Sequence, residues 1–368
     1  MDEREHLTWL ALTRVKGLGC TGFKRVAEYF GDPRQAFWVS ERELAQIPGL
    51  DSQAIEGLVT FSDWNEVREE MGRIAEAGVR MLPFSDRNYP RRLRMIPDPP
   101  PFLYIRGEAG EGDEKAVAVV GSRSASDYGL RVARDLCHGL AALGFTVISG
   151  MARGIDGEAH QAALGAGGRT VAVLGSGVDV TYPWEHKALY EEICQRGAII
   201  SELPMGTPPF PYNFPSRNRL ISGLSLGVVV VEATERSGSL ITARLGLEQG
   251  REVFAVPGQA GASRSRGTHR LIRQGAKLVE GVEDIVEEIA PQLLTRAGVV
   301  KESPSPPLPP NTTLEARKVF ELVQRGSLQI DEVIQASGLS SAKVSEILLD
   351  LEIKGLLRQL PGKRFRVN

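Results

Sequence analysis

Residues 116–150 read AVAVVGSRSASDYGLRVARDLCHGLAALGFTVISG, and this stretch decides the fold class. Both of its ends carry short, continuously apolar runs of the kind that form strands buried on both faces of a parallel sheet. A segment of helical character joins the two runs. Similar runs recur at 170–174, 198–201, 227–231 and 252–256. The alternation predicts an α/β fold with a Rossmann-like parallel sheet covered by helices.

Each predicted strand ends in a glycine or an acidic residue, and these ends mark the candidate site. Ligands of such sheets bind in the crevice outside the carboxyl ends of the strands. We therefore expect the loops that leave these ends to meet along one edge. The residues at the strand ends are Gly121, Gly150, Gly175, Glu202, Glu232 and Gly258.

The chain divides into four predicted regions. Residues 1–83 read as short amphipathic helices and predict a SAM or helix-hairpin-helix-like domain. Residues 84–297 form the Rossmann-like domain, and residues 298–313 are a proline-rich, extended linker. Residues 314–368 show three helices followed by a hairpin, which is the pattern of a winged-helix domain. The 368 residues fit two or three domains of about 150 residues each.

Charge and composition narrow the function classes. The 44 lysines and arginines against 46 acidic residues give a net charge of −2, which excludes nucleic-acid binding by bulk charge but allows a local basic groove. The distant cysteines Cys20, Cys137 and Cys194 and the scattered histidines predict no disulfide, metal site or cofactor. No apolar run approaches the ~18 residues of a membrane span, and no signal-peptide core follows the N-terminus. We therefore expect a soluble, cytoplasmic protein without membrane contact.

A glycine motif near the N-terminus has two interpretations. Gly17–Gly22 spells GxGxxG, but no strand precedes it, so a dinucleotide site is not indicated. It fits the turn of a helix hairpin whose glycines admit a phosphate beside a helix N-terminus. Residues 47–50 resemble a second, degenerate hairpin. Ordinary helix connections explain both segments as well, and the two alternatives remain open.

Glycine-rich loops follow several predicted strands. Gly121, Ser122 and Arg123 end a strand and enter a helix, where backbone N–H groups and an arginine fork can bind phosphate. A plain turn with a solvated arginine is the alternative. No Gly-Lys-Ser or Gly-Lys-Thr sequence follows, so ATP hydrolysis is not expected. The other candidates, including a lysine that could face the same groove, are Gly150, Arg153, Gly154, Gly175, Gly177, Lys187, Ser237, Gly238 and Ser239.

One further candidate combines an aromatic ring with arginines. Phe214, Arg217, Asn218 and Arg219 fall in what reads as a long loop that follows four prolines. An arginine beside an aromatic ring suits a groove for a nucleic-acid backbone with one stacked base. A lid with surface charges is the alternative. The arginines at 264–273 indicate either a basic patch or a solvated loop.

Catalytic groups are weakly indicated. Ser149, Asp156 and His160 suggest a triad, but no GxSxG elbow accompanies them, and Asp156 is well placed as a helix N-cap. Glu232 could receive sugar hydroxyls or base N–H groups, or it could be a structural acid that satisfies a loop. Several phosphate-binding loops without a hydrolytic apparatus favour binding of a nucleic-acid backbone, so we expect no enzyme.

Six motifs together resemble the DprA (DNA-processing protein A, or Smf) family. They are GSR at 121–123, SGMARGIDGEAH at 149–160, TVAVLGSGVDVTYP at 170–183, FPSRNRLISGLS at 214–225, VVVVEATERSGSLITA at 228–243 and REVFAVPG at 251–258. The predicted helical and winged-helix regions also match common members. This sequence departs from the family pattern at His186 and His269, where asparagine is frequent.

The resemblance implies a single-stranded DNA-binding protein of natural transformation. Such a protein protects incoming DNA and loads the RecA recombinase onto it for recombination, as a homodimer and without known catalysis. The resemblance also implies that Arg123 holds backbone phosphate and that the loops at 150–154, 214–219 and Gly238 line the path of the strand. Within 267–276, the residues of the implied dimer or RecA surface are Leu271 and Ile272.

Two other function classes remain. The same Rossmann variant resembles the Lonely-Guy-type nucleotide phosphoribohydrolases, whose GGxGTxxE motif carries a catalytic glutamate. The corresponding stretch here, 237–243, ends without that glutamate. A winged-helix transcription regulator would need a basic recognition helix, whereas the segment 341–354 is acidic. A comparison of binding to single- and double-stranded DNA separates these classes.

Overall fold

The structure is a computed structural model that describes residues 3–290, 312–324, 328–354, 356–360 and 364–367. The chain forms two compact units, Met1–Pro291 and Gln292–Asn368. Each unit is described by itself. Within the described residues, no helix is long and apolar enough to cross a membrane.

The first unit begins with a helical segment, as the sequence predicts. A short 3₁₀-helix, Pro33–Phe37, lies between the second and third helices. Buried side chains such as Trp9, Phe23 and Val67 form its core. Ser40 and Asp51 cap helices by accepting hydrogen bonds from the backbone N–H groups of Glu43 and Gln53, respectively. The helices are α1 (Glu3–Arg14), α2 (Gly19–Phe30), α3 (Glu41–Leu44), α4 (Ser52–Val59) and α5 (Trp64–Glu76).

The glycine turn between α1 and α2 is covered by α4. Gly17 has a φ of +83°, and a Cβ there would lie 2.9 Å from the backbone of Gln53 and Ala54. Gly57 in turn packs against the carbonyl oxygen of Lys16. The glycines therefore permit a close approach of two helices, which agrees with the interpretation as an ordinary helix connection. Contact of this turn with nucleic acid stays a prediction.

A nine-stranded sheet follows, in the order β1-β2-β6-β5-β4-β3-β7-β8-β9. From β6 to β9 all neighbouring strands are parallel. At the other edge β2 is antiparallel to β6, and β1 is antiparallel to β2. The strands are β1 (Arg80–Pro83), β2 (Phe102–Gly107), β3 (Ala116–Val120), β4 (Thr146–Ser149), β5 (Thr170–Val173), β6 (Ala198–Ser201), β7 (Gly227–Val230), β8 (Glu252–Ala255) and β9 (Lys277–Leu278).

The six predicted strands are confirmed, since they correspond to β3 to β8. The side chains of β3 are at most 3% exposed, as expected for a strand covered on both faces. The first two strands were not predicted. β1 lies within the range 1–83 that the sequence predicts as helical, and it ends at Pro83. β2 follows three consecutive prolines, 99–101, which obscure the start of a strand.

Helices cover both faces of this sheet. Three 3₁₀-helices, Glu111–Glu114, Trp184–His186 and Ser263–Ser265, lie in the connections. The helices are α6 (Arg91–Arg94), α7 (Asp127–Ala142), α8 (Ile155–Gly165), α9 (Lys187–Arg196), α10 (Asn213–Leu224), α11 (Ser239–Glu248), α12 (Arg266–Arg273) and α13 (Val282–Ile289).

The helical segment shares its core with the edge of the sheet. The hydrophobic cluster around α1 and α2 continues to Phe102 and Tyr104 of β2. The Tyr104 hydroxyl donates to the buried carboxylate of Glu70 in α5, and Arg14 pairs with the same carboxylate at 2.7 Å. The helical segment and the sheet therefore form one compact unit. The predicted domain boundary at residue 83 stays a prediction.

The second unit has the predicted winged-helix pattern. Its helices are α14 (Leu314–Gln324), α15 (Ile330–Ser337) and α16 (Ser341–Ile353), and a three-stranded antiparallel sheet has the order β10-β12-β11. Most of the predicted linker, 298–313, lies outside the described residues. The strands are β10 (Leu328–Gln329), β11 (Leu357–Leu360) and β12 (Arg364–Val367).

Candidate nucleic-acid groove

Two adjoining cavities lie at the carboxyl ends of the parallel strands, where the sequence predicts the site. The larger, which we call the groove, has a volume of about 900 Å³. The smaller, which we call the side pocket, has about 140 Å³. The residues that line both are Arg123, Ser124, Ala152, Tyr182, Phe214 and Arg217. The groove is further lined by Gly121, Ser122, Asp156, Asn218, Ser237, Gly238, Ser239 and Arg264, among others.

Helix N-termini give this edge a positive field. Helices that connect parallel strands run back from the strand ends, so α7, α8 and α11 begin beside the groove. Ser126 caps α7 by accepting a hydrogen bond from Gly129 N at 3.1 Å. The Glu232 carboxylate accepts hydrogen bonds from the backbone N–H and the hydroxyl of Ser126. Of the two roles considered for Glu232, ligand binding and loop stabilisation, these hydrogen bonds agree with loop stabilisation.

Two glycines bring the first two binding loops together. A Cβ on Gly121 would lie 2.6 Å from Ile155 Cγ1. Gly154 has a φ of +74°, and a Cβ there would overlap the carbonyl oxygen of Ser122. The Ser122 carbonyl accepts a hydrogen bond from Ile155 N at 3.2 Å. This backbone contact places the exposed Arg123 at the groove.

Arg123 lies against an aromatic ring. Its guanidinium carbon is 5.1 Å from the centre of the Phe214 ring, within the range of a cation–π interaction. Arg123 is exposed. The guanidinium is therefore positioned by Phe214 while remaining accessible to an anionic ligand, as the sequence predicts for a phosphate contact.

Arg217 forms part of the floor of the groove. It is 5% exposed, and its Nη1 donates to the carbonyl oxygens of Gly150, at 2.8 Å, and Val173. Burial lowers its pKa to about 10, with Asp156 acting in the opposite direction, so it stays charged at neutral pH. Gly150 has no room for a side chain, since a Cβ would lie 2.7 Å from Arg217 Nη2. Arg217 thus ties two strand ends together and contributes positive charge.

Asp156 braces the loop between β4 and α8. Its carboxylate accepts a hydrogen bond from Ala152 N at 3.4 Å, and burial raises its pKa while Arg217 lowers it. The N-cap residue of α8 is Gly154. The predicted N-cap role of Asp156 is therefore wrong, because the helix starts at Ile155 and the carboxylate folds back onto the loop.

Arg219 lies outside the groove. Its Nε is 2.9 Å from the Asp98 carboxylate, and its Nη2 pairs with Glu202 and contacts Cys20 Sγ at 3.3 Å. The predicted long loop at 214–219 is wrong, since these residues form the first turns of α10. On a helix, residues 217 and 219 point about 200° apart, so only the first faces the groove.

The remaining candidates divide between the groove and its surroundings. Ser237 and Ser239 share a hydrogen bond of 2.8 Å at the groove wall, and Asn218 Nδ2 donates to Gly238 O at 3.4 Å. Gly175 allows the Phe214 ring to approach, since a Cβ would lie 2.7 Å from it. The predicted residues outside both linings are Gly154, Gly177, Lys187 and Arg219.

The sequence predicts that Arg153 and Lys187 face the same groove, but neither residue lines it. Arg153 lines the side pocket, where it is paired with the Glu185 carboxylate. Lys187 is exposed at the first residue of α9. Gly177 packs against the backbone of Pro204 and Gly206. Of these three, only Arg153 lines the groove or the side pocket, and its charge is shared with a carboxylate.

Arg264 is a groove residue that the sequence left undecided. Its Nε donates to Ser124 O at 2.9 Å, so it holds the Gly121–Ser124 loop while lining the groove. The described groove lining then contains three arginines, Arg123, Arg217 and Arg264, against one carboxylate, Asp156. The basic character is thus local, as expected for a chain of net charge −2. Arginine clustering at 264–273 was the available signal, but it did not show which arginine turns inward.

Ser149 and His160, two members of the suggested triad, form hydrogen bonds with other residues rather than with each other. The Ser149 hydroxyl donates to Val119 O at 2.6 Å, and His160 Nδ1 lies 2.6 Å from the Thr170 hydroxyl oxygen. Burial lowers the pKa of His160 to about 3. Both side chains are completely buried. The local hydrogen bonding of His160 agrees with the sequence interpretation.

The residues predicted for a dimer or RecA surface lie on α12, near the edge strand β9. Leu271 is buried in the core, whereas Ile272 is half-buried and lines a shallow cavity with Leu278, which is 42% exposed. Only Ile272 of the two faces outward at this edge.

Comparison with known proteins connects this chain to a family. The sequence profile described as DNA recombination-mediator protein A matches residues 80–290, and that of the DprA winged helix domain matches residues 303–363. The chain is 33% identical to Protein Smf of Synechocystis over the whole of both chains. It is 38% identical to Protein Smf of Escherichia coli, with 93% of each chain covered.

Two solved structures are also similar. DNA processing protein A (DprA) from Streptococcus pneumoniae has a TM-score of 0.67 and 35% identity, and the match covers 78% of this chain and 98% of that chain. DNA processing protein A from Helicobacter pylori, whose structure concerns its single-stranded DNA binding mode, has a TM-score of 0.52 and 28% identity. That match covers 59% of this chain and 96% of the other.

Proposed function

This chain belongs to the DNA recombination-mediator protein A family, known as DprA or Smf, and we propose that it binds single-stranded DNA in the groove. The observation that carries the proposal is the exposed guanidinium of Arg123 beside the Phe214 ring, at an edge where three helices begin. The Helicobacter pylori relative with a similar fold is a single-stranded DNA binder, which supports the same ligand here.

The groove offers complementary groups to both parts of a single strand. Backbone phosphates carry negative charge and suit Arg123, Arg264 and the N–H groups of the glycine-rich loops. Unpaired bases expose flat aromatic faces, which stack on the aromatic side chains of a groove lining without regard to sequence. A duplex buries those faces between its base pairs, so we expect single strands to bind more tightly.

Binding rather than catalysis is the proposed activity. The one carboxylate of the described groove lining, Asp156, already braces the β4–α8 loop and faces Arg217. The stretch 237–243, which corresponds to the motif that carries the catalytic glutamate of the phosphoribohydrolases, ends without a glutamate in this chain. Incubation with nucleoside monophosphates should release no free base. Release that depends on Asp156 would favour the hydrolase alternative.

The cellular role follows from the family as a proposal. We place the protein in the cytoplasm, where it would protect single-stranded DNA taken up in natural transformation and load RecA onto it. We also propose a homodimer through the sheet edge that carries Ile272 and Leu278, because both are apolar side chains with exposed surface beside the last strand. A RecA-dependent strand-exchange assay on DNA coated with single-strand binding protein tests the loading step.

The direct test compares Arg123→Ala with a matched arginine elsewhere. Arg42, which is exposed on α3 in the helical segment, is the control. Fluorescence anisotropy with an oligo(dT) at several salt concentrations should show weaker binding for Arg123→Ala. The slope of log K against log salt should fall by about 0.7, since one phosphate contact is lost. Arg42→Ala should behave as wild type, and an unchanged affinity and slope for Arg123→Ala would contradict the proposal.

A further inference from the structure

We propose that Tyr182 and Trp184 form a base-stacking platform at the end of the groove. The proposal rests on the proposed single-stranded DNA binding and extends that site beyond Phe214. The ligand of the platform is an unpaired nucleobase of the same strand. Neither the family match nor the sequence motifs assign these two side chains a role.

Tyr182 and Trp184 are large aromatic residues with much exposed surface. Trp184 is 76% exposed, and Tyr182 is 41% exposed while lining both the groove and the side pocket. Exposed aromatic rings beside a cationic groove are available for stacking, and aromatic side chains are enriched in binding surfaces. Both residues belong to the connection between β5 and α9, which leaves a carboxyl strand end.

Tyr182 connects the proposed platform to the cationic part of the groove, and Trp184 follows it two residues later in the same connection. The Tyr182 ring stacks on Phe214 with a centre distance of 5.9 Å and an angle of 28°. Phe214 in turn carries the guanidinium of Arg123 at 5.1 Å. Phe214 is half-buried and already contacted by both neighbours, so most of its ring is not free for a base. Tyr182 and Trp184 offer the exposed aromatic surface that Phe214 lacks.

The surrounding charges favour nucleic acid over a protein partner. The side pocket next to Tyr182 contains Arg123, Arg217 and Arg153, of which Arg153 is paired with the Glu185 carboxylate, and its described lining includes no carboxylate. An arginine-lined groove with aromatic rings along it is the arrangement by which proteins bind single strands without sequence preference.

Tryptophan fluorescence tests the platform with a control inside the chain. Trp38 is also 76% exposed but lies in the helical segment, whereas Trp9 is buried and Trp64 half-buried. Titration of oligo(dT) into wild type and Trp38→Phe should quench emission, and Trp184→Phe should lose most of that quench. An abasic deoxyribose-phosphate oligomer of the same length should produce little quenching, because quenching requires a stacked base.

Affinity and its salt dependence give an independent measurement. Tyr182→Ala and Trp184→Ala should each weaken oligo(dT) binding by about fivefold to tenfold, the lower part of the range for one lost base stack. Their salt slopes should equal that of wild type, since a lost stack releases no fewer counterions. Tyr29→Ala, which removes a 44% exposed ring from α2, should bind as wild type. Equal thermal melting of the variants would exclude a folding defect.

The outcomes separate this inference from the proposed function. If Arg123→Ala weakens binding but Trp184→Phe keeps the quench and both alanine variants bind normally, the platform is wrong and the groove stands. Equal quenching by the abasic oligomer, or a reduced salt slope for Tyr182→Ala, would show backbone contact and overturn the stacking. If wild-type protein does not bind oligo(dT), both proposals fail.

Discussion

Replacing Arg219 with alanine should destabilise the protein rather than remove a contact to DNA. Arg219 was a candidate phosphate ligand from the sequence, yet the structure pairs it with Asp98 and Glu202 on the side of α10 away from the groove. The side chain of Arg219 is 10% exposed and that of Glu202 is 13% exposed. The variant would leave these two carboxylates without their cation.

The magnitude follows from the geometry of the pair. At the 2.9 Å between Arg219 and Asp98, an effective dielectric constant of about 20 gives an attraction of about 6 kcal/mol before desolvation is subtracted. Removing one partner of a buried pair typically costs about 3–5 kcal/mol. Asp98 has a side-chain exposure of 38% and keeps part of its hydration, so we expect a loss of about 3 kcal/mol in the free energy of unfolding. For the unit Met1–Pro291, the melting temperature should fall by about 5 °C.

The loss should depend on pH in a defined direction. Burial raises the pKa of Glu202, and Arg219 partly opposes that shift. Without Arg219 the pKa of Glu202 rises further, so the folded variant binds a proton more readily than the unfolded chain does. Stability then increases as the pH falls through that raised pKa. The deficit of the variant against wild type should therefore shrink between pH 7 and pH 5.

Urea unfolding followed by circular dichroism at several pH values measures this deficit. Arg123→Ala is the matched control, since that exposed arginine should change stability by less than about 0.5 kcal/mol. The reasoning would be refuted if Arg219→Ala unfolded like wild type while its salt slope for oligo(dT) decreased. A deficit that grows toward low pH would equally contradict the assignment of Glu202.

Three further predictions concern the loops, the core and the sheet edge. Gly154→Ala should destabilise the protein and weaken oligo(dT) binding, because its Cβ would displace the backbone of Ser122. Gly144→Ala is the control, since Gly144 has a similar φ but open space, and this variant should lose stability without losing affinity. Equal losses of affinity in both variants would contradict the loop contact. His160→Gln should reduce the loss of stability between pH 6.5 and about 3, because the folded state holds this imidazole neutral while the unfolded chain protonates it. An unchanged dependence of the free energy of unfolding on pH in this range, measured with urea, would disprove this. Ile272→Asp should halve the mass in light scattering if the sheet edge is the dimer surface; an unchanged dimer mass would exclude that edge.

The central strands and the edge formed by their carboxyl ends could be predicted from the sequence, because both are recognised from local patterns. Continuous apolar runs such as 116–120 identify buried strands, and the residues that end them identify the edge where ligands bind. The groove accordingly contains Arg123, Phe214 and the loop at 237–239, as predicted. These assignments required only the order of elements along the chain.

What the sequence did not reveal depends on three-dimensional packing. The prolines before α10 suggested a loop, so the rotation of about 200° between Arg217 and Arg219 could not be anticipated. Whether Arg264 turns toward Ser124 or toward solvent likewise depends on a contact between segments 140 residues apart in the chain. Glu232 could be assigned only when its partner Ser126 was known. The last two features are long-range contacts between polar groups, which the periodicity of the sequence does not encode.

Helix α10 contacts both the floor of the groove and the N-terminal helical segment, and this has a thermodynamic consequence. Its Arg217 holds strand ends under the groove, while its Arg219, half a turn away, holds the ion pairs next to Cys20 of the helical segment. Any displacement of this helix by a bound strand must also strain those ion pairs. If a bound strand displaces the helix in this way, reciprocity requires that loosening the helical segment change the affinity of the groove by the same free energy. The N-terminal helices, although far from Arg123 in sequence, are thus potential effectors of DNA binding.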